Sequence, residues 1–314
     1  MDKILEKIKE YDKIIIHGHI RPDGDCYGSQ FGLKGIINAS FPEKTVYVVG
    51  EVSNYVSFVG DLDIIDDSEF EGALSIIVDT ATADRVSDKR YTLAKETVRI
   101  DHHIRIDDYA GYNYVDESSP ACAQILAEFW SKYMLDINSA GANALYVGIL
   151  TDTGRFKFRG VSRKTFNLAG MLLDQGVDIE EIDNKLSVET INTIKLKADV
   201  LSTFNTTPDG FAYAVVTRET IQKYNVTNEE AASMVSLLAN IEGYPVWALI
   251  IEYETEIRIR LRSRGPHVDQ LANAYNGGGH AKASGASLPS FDDLERFCND
   301  CNELVKQYKK ELNN

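Results

Sequence analysis

Apolar residues follow two rhythms along this chain. Short unbroken runs, rich in β-branched residues, occur at "KIIIHG" (13–18), "TVYVVG" (45–50), "LSIIVD" (74–79) and "TVRID" (97–101). A strand covered on one face alternates apolar and polar positions, whereas continuous runs indicate burial on both faces and a parallel sheet. Segments with helical spacing lie between and after them: "GSQFGLKGIINAS" (28–40), "ACAQILAEFWSKYM" (121–134) and "SAGANALYVGILTDT" (139–153). Strand–helix alternation of this kind predicts an α/β fold, an open and mainly parallel sheet flanked by helices. From 161 to about 200 the spacing is helical almost throughout, and its second half carries no strong stop signal. "TTPDG" (206–210) then signals a turn. Beyond it come "FAYAVVT", a helix near 228–241, "PVWALIIEYETEIRIRLRSR", a helix near 267–275 and a glycine run. That order predicts a smaller C-terminal α+β domain with an antiparallel or mixed sheet. The expected organisation is an α/β domain over 1–185, a helical linker over 186–205 and the α+β domain over 206–314, as befits a chain longer than one compact domain.

Composition narrows the class. Apolar residues make up 44% of the chain, enough for an ordinary core, and no run approaches the roughly 18 apolar residues of a membrane helix. "MDKILEKIKEYDK" at the start reads as an amphipathic charged helix rather than a signal peptide, because it lacks an apolar centre. Four cysteines do not suggest a disulfide framework. Cys298 and Cys301 ("CNDC") fit one face of a helix better than a metal or redox site, and a reducing cytoplasm is expected. The net charge of −15 argues against a protein that tracks long nucleic acid, which needs a basic stripe. It does not exclude a small anionic substrate, since metal ions and a few placed arginines supply positive potential locally.

Ligands of open α/β sheets bind beyond the carboxyl ends of the strands, and acidic residues fall there repeatedly. The run at 13–18 delivers His19, Asp23 and Asp25; 74–79 ends at Asp79; 97–101 ends in Asp101-His102-His103; the helix at 139–150 runs into Asp152. One acid at a strand end is a common N-cap. Four such ends converging on one edge would repel one another unless cations sat among them. Of six histidines, His17, His19, His102 and His103 all fall in these motifs. Carboxylate and imidazole without thiolate suit manganese, with iron, cobalt or magnesium as alternatives, rather than structural zinc. The donors exceed what one ion with open positions needs, so two ions bridged by one aspartate is the economical arrangement, the one used for displacement at phosphorus. Alternation places His17 on the face of His19, as an orienting partner or a structural residue.

"HIRPDGDCYGS", "VDTA", "DHH" and "TDTGRF", in this order, resemble the four motifs of the DHH phosphoesterase superfamily, and "GGGHAKASGA" (277–286) after "RIRLRSRG" resembles the DHH-associated C-terminal domain. A two-domain chain without further modules is most similar to the bacterial oligoribonuclease/pAp-phosphatase branch. The resemblance implies one metal at His19, Asp23 and Asp79 and another at Asp25, Asp79, His102 and Asp152. It also implies His103 facing the substrate phosphate, as phosphate ligand or proton donor, and Asp101 orienting a histidine. Its implied substrates are short oligoribonucleotides, cut to mononucleotides, and 3′-phosphoadenosine 5′-phosphate (pAp). A homodimer is compatible with it. Hydrolysis of cyclic dinucleotides or of pApA is the alternative; a nucleotide sensor without activity is disfavoured because every ligand position is filled.

The glycine run has its own logic. Gly277, Gly278 and Gly279 leave backbone N–H groups open to a phosphate or base, and "HAKASGA" after them is helix-prone. With His280, Lys282, Arg262, Ser263 and Arg264 this reads as a clamp for an anion and a nucleotide. Strand alternation would put Arg258, Arg260, Arg262 and Arg264 on one face.

Overall fold

The computed structural model describes residues 1–53 and 55–312. Contacts divide the chain into two compact units, Met1–Val188 and Glu189–Asn314. The first contains α1 (Asp2–Glu10), β1 (Lys13–His17), α2 (Gly24–Ser40), β2 (Thr45–Val49), β3 (Leu74–Val78), β4 (Glu96–Asp101), β5 (Tyr112–Val115), α3 (Cys122–Lys132), α4 (Ser139–Asp152), α5 (Arg163–Leu173) and α6 (Ile179–Ser187). Its five strands are all parallel in the order β2-β1-β3-β4-β5. The continuous apolar runs are buried accordingly: Ile14, Ile16, Ile76, Val78, Val98 and Ile100 share one core with α2, α3 and α4. β5 was not expected from the sequence.

Chain order and spatial order part company at β1, whose neighbours β2 and β3 lie on opposite sides, so a topological switch point opens between β1 and β3. Packing of α2 on α4 then decides which side chains reach it. A Cβ on Gly28 would lie 2.5 Å from the Ala144 carbonyl oxygen, so only glycine permits this approach. The two helices run antiparallel, Gly24 lying beside Thr151, which brings the first turn of α2, with Asp25, against the last turn of α4, with Asp152.

The second unit contains α7 (Ile191–Thr203), β6 (Asn205–Thr206), β7 (Phe211–Val216), α8 (Arg218–Tyr224), α9 (Asn228–Ser233), β8 (Val246–Glu252), β9 (Ile257–Ser263), α10 (Asp269–Ala274), β10 (Gly278–His280), β11 (Ala283–Leu288) and α11 (Leu294–Leu312). Its six-stranded sheet is mixed, β7 and β8 being the parallel pair. The helical stretch after 161 is three helices: Gly176, in the left-handed region at φ +86°, interrupts it, and Thr190 caps α7. α7 covers most of the expected linker, yet its Leu196 and Val200 are buried in a core of the second unit. The helix expected near 228–241 ends at Ser233 and continues as a 3₁₀ turn over Met234–Leu238. "HAKASGA" (280–286), expected to be helical, instead rounds a hairpin: His280 ends β10 and Ala283–Ala286 lie in β11, its antiparallel partner. Cys298 and Cys301 are buried on α11, and Cys26, Cys122, Cys298 and Cys301 are all free thiols. No helix among the described residues is long and apolar enough to cross a membrane.

Candidate metal centre and arginine–glycine cavity

β1, β3 and β4 end side by side, and the donors follow directly from those ends. After β1 the chain turns so that His19 is nearly buried, with Nδ1 2.9 Å from the Ile20 carbonyl. A carbonyl only accepts, so Nδ1 carries a proton and Nε2 is the nitrogen left to bind a cation once its own proton is displaced. That Nε2 faces Asp23 Oδ1 at 3.8 Å and Asp79 Oδ2 at 3.5 Å. His102 is oriented by the same device: Nδ1 lies 3.2 Å from the Ser119 carbonyl, and Nε2 faces Asp79 Oδ1 at 3.4 Å, Asp152 Oδ2 at 3.5 Å and Asp25 Oδ2 at 3.7 Å.

Each carboxylate has its own support. Asp23 caps α2, accepting from the N–H groups of Asp25 and Cys26 at 3.1 and 3.0 Å. Asp25 accepts from Cys122 N–H at 2.6 Å and Ala123 N–H at 2.9 Å, so the first turn of α3 holds it through its free donors and positive end. Asp79 has φ +50°, a conformation uncommon outside glycine, asparagine and aspartate, and its side chain is 2% exposed. Its Oδ1 is buried without a hydrogen-bond partner, which is costly unless something absent from the polypeptide satisfies it.

These residues fit divalent cations. Separations of 3.4–3.8 Å are too long for hydrogen bonds. Two donors about 2.1 Å from one cation stand about 3.0 Å apart at a right angle and about 3.4 Å at the tetrahedral angle. The structure thus brings His19, Asp23, Asp25, Asp79, His102 and Asp152 together with their donor atoms converging. Cys26 also has its sulfur near His19 and Asp79, a neighbour that sequence reasoning did not pick out. Its Sγ accepts the His19 N–H at 3.4 Å, and burial pushes the thiol up to about 11, so it stays protonated and neutral. His17 stands apart, bonded to Ser75 Oγ at 3.1 Å and packed near the rings of Phe70 and Tyr91; burial pulls it down to about 4 and keeps it neutral.

Without cations the cluster holds protons in their place. Burial, with repulsion from Asp79 and Asp152, raises Asp25 well above the carboxylate range. Burial raises Asp152 to about 6, against the attraction of His102, and Asp79 pushes in the same direction. His102 is raised to about 10: burial opposes its charge, but Asp79 and the other carboxylates outweigh it. Cation binding must displace these protons, so affinity should rise with pH. About one to two decades per unit are expected between pH 5 and 7, one per proton released. Manganese titration followed by electron paramagnetic resonance at pH 5, 6 and 7 checks this, and an affinity independent of pH would contradict the arrangement. Stability of the metal-free protein should move oppositely. It falls as pH rises from about 4 through 6, because folded Asp152 keeps a proton that the unfolded chain has lost.

Asp101 and His103 sit beside the cluster. Asp101 Oδ1 accepts from His102 N–H at 2.8 Å, His103 N–H at 3.3 Å and His103 Nδ1 at 2.8 Å. Burial would raise Asp101, but His103 and Arg99 hold it well below the carboxylate range. The hydrogen bond to Asp101 in turn raises His103, whose side chain is 41% exposed. Arg105 and Arg155 are taken by Asp108 and Asp183.

In the second unit Arg258, Arg260 and Arg262 project from one face of β9 and line a cavity of about 520 Å³ with Tyr253, Asn276 and the backbone of Gly277–Gly279. Its size is that of a site for one small ligand. Of the expected clamp, Arg262, Gly278 and Gly279 line it. Ser263 falls on the opposite face by alternation, its Oγ donating to the Pro266 carbonyl at 2.6 Å. Arg264 lies beyond the end of β9 and reaches Asn240 at 2.6 Å. Lys282 Nζ donates to the Gly265 carbonyl, and His280, exposed at the end of β10, is not in the lining. Tyr253 and Asn276 were missed, because they come from a hairpin turn and from the loop before β10.

A parallel sheet carrying carboxylates and imidazoles at its switch point, joined in sequence to a second α+β unit with an arginine–glycine cavity, defines a metal-dependent phosphoesterase architecture. The chain belongs to the DHH family: residues 13–149 match the DHH family N-terminal domain and residues 209–307 match the DHHA1 domain. It is 36% identical over 310 residues to the bifunctional oligoribonuclease and PAP phosphatase NrnA of Bacillus subtilis, covering 98% of this chain and 99% of that one. It is also 36% identical over 304 residues to the protein of the same name from Mycoplasma genitalium, covering 95% of each. The crystal structure of an exopolyphosphatase-related protein from Bacteroides fragilis superposes with a TM-score of 0.87 at 24% identity, over 97% of both chains, and shares the fold.

Proposed function

We propose that the protein is a phosphoesterase dependent on two divalent cations, manganese by preference, that degrades short oligoribonucleotides to mononucleotides and dephosphorylates pAp to AMP. The observation that carries this is the convergence of six donor residues, among which Asp79 faces both His19 and His102 while its buried Oδ1 lacks a hydrogen-bond partner. Near-full-length similarity to enzymes named oligoribonuclease and PAP phosphatase supports the substrate class. Four free thiols suit a reducing cytoplasm.

Cations held by His19, Asp23 and Asp79 and by Asp25, Asp79, His102 and Asp152 would supply Lewis acidity at the scissile phosphate and lower the pKa of a water. The protein's part is orientation and proton traffic. Ile20 and Ser119 carbonyls fix the imidazole tautomers, and the first turn of α3 fixes Asp25. His103, held by Asp101, offers Nε2 to a phosphate or leaving oxygen. Arg262, already crowded by burial and by Arg260, favours an anion in the cavity of the second unit, where it would hold a phosphate of the nucleotide.

Arg262→Ala should therefore lower kcat/KM by roughly 10- to 100-fold, the worth of one charge-assisted contact, with metal affinity unchanged. Efficiency in the wild type should fall beyond about five nucleotides, because an acidic chain offers no long basic track. The test is side-by-side turnover of pAp, oligoribonucleotides of increasing length and a cyclic dinucleotide with manganese. Cleavage of the cyclic dinucleotide alone would replace this reading with a cyclic-dinucleotide phosphodiesterase; no metal-dependent product from any of them would leave a nucleotide sensor.

A further inference from the structure

Arg99 is out of place in a central parallel strand. It lies in β4 between Val98 and Ile100, and its side chain, like that of Asp101, is 0% exposed. An apolar residue would serve this position at lower cost, since burying a guanidinium loses hydration that few contacts replace. Nor is the group fully satisfied: Nη2 donates to Asp101 Oδ2, Nη1 to the Asp107 carbonyl at 2.8 Å, and Nε has no partner. The Tyr109 ring packs 5.1 Å from its Cζ, and the Tyr109 hydroxyl donates to the Thr80 carbonyl at 2.8 Å, one residue beyond Asp79. One buried cation thus joins Asp101 to the segment that also braces the Asp79 turn.

Period-two alternation puts residues 99 and 101 on the same face of β4. With Oδ2 tied to Arg99, the Asp101 carboxylate cannot rotate, and Oδ1 is left to accept from both histidine backbone N–H groups and from His103 Nδ1. That bond places the proton on Nδ1 and sets the plane of the ring. We propose that Arg99 is a positioning residue for the reaction, fixing through Asp101 the direction in which His103 Nε2 meets the substrate. This rests on the phosphoesterase reading for its kinetic consequence, but not for its structural one.

The test combines a double-mutant cycle with a spectroscopic signature. Arg99→Met should lower kcat of the manganese-loaded enzyme by roughly 10- to 100-fold, as for other partners that orient a functional group from behind. KM and manganese affinity should stay within about twofold. In an Asp101→Asn background the same change should cost less than about threefold, because the link it breaks is already gone. The double variant buries no lone charge, so it keeps the test open if Arg99→Met alone does not fold. Arg99→Lys, which restores a charge but presents its donors from one nitrogen rather than from both Nη1 and Nη2, should recover part of the rate. In the magnesium-loaded protein, the downfield proton resonance of His103 Nδ1–H, assigned by its loss in His103→Gln, should vanish in Arg99→Met and persist in Arg99→Lys. Equal rate losses in both backgrounds, or an unchanged resonance in Arg99→Met, would overturn the proposal. If the wild type cleaved none of the substrates, the phosphoesterase reading would fall while the resonance still decided the role of Arg99.

Discussion

Asp79→Asn is expected to lower turnover by roughly 10⁴-fold or more while the chain stays folded. The carboxylate faces His19 Nε2 with one oxygen at 3.5 Å and His102 Nε2 with the other at 3.4 Å. A single neutralisation therefore weakens both halves of the cluster. Asparagine is the right probe because it keeps the side-chain shape and tolerates the φ of +50°, where alanine would be strained. Removing one of several buried negative charges also relieves repulsion on Asp25. The variant also loses the attraction of Asp79 for His102, so the two effects oppose and the metal-free melting temperature should stay within about 5 °C of the wild type, which separates lost function from lost fold. The measurements are turnover, manganese stoichiometry by calorimetry and the melting temperature without metal. Wild-type turnover with manganese supplied would remove Asp79 from the centre of the mechanism.

Much of this centre was legible in the sequence because two simple rules coincide there. Parallel strands buried on both faces announce themselves as apolar runs, and an acid or imidazole just past such a run has a ligand-binding edge to occupy. His19, Asp79 and His102 all follow that pattern. What supports them was not legible, since it comes from distant chain: α3 donates to Asp25 across 97 residues of sequence, and the Ser119 carbonyl orients His102. β5 was missed because "YNYV" is half-buried along its length at the sheet edge, so it gives neither an unbroken run nor clean alternation. The glycine run misled for a different reason. Small residues such as those of "HAKASGA" suit helices in general, but here two backbones close together: a Cβ on Gly277 would sit 1.9 Å from the Gly285 carbonyl oxygen. That requirement is tertiary, and it turned an expected helix into a hairpin. Arg264 was assigned to the arginine face by extending alternation one residue beyond the end of β9.

The adjacent histidines of the "DHH" run should behave as different instruments. His102→Ala should lose metal, because its Nε2 faces three carboxylates. His103→Ala should keep manganese affinity within about threefold of wild type yet lose roughly 10²- to 10⁴-fold in kcat, the range for a positioned proton donor. The reason is which nitrogen is occupied. His103 Nδ1 is committed to Asp101 Oδ1 at 2.8 Å, leaving Nε2 as the free nitrogen on a side chain 41% exposed. The same bond raises the imidazolium pKa, keeping the acid form populated nearer neutrality. A donor must be protonated to act, so the wild-type rate should decline as pH rises through that raised value, and the decline should disappear in His103→Ala. The two variants are compared by manganese titration and by kcat against pH on pAp. Equal metal loss in both would make His103 a ligand and take the proton-donor role away from it.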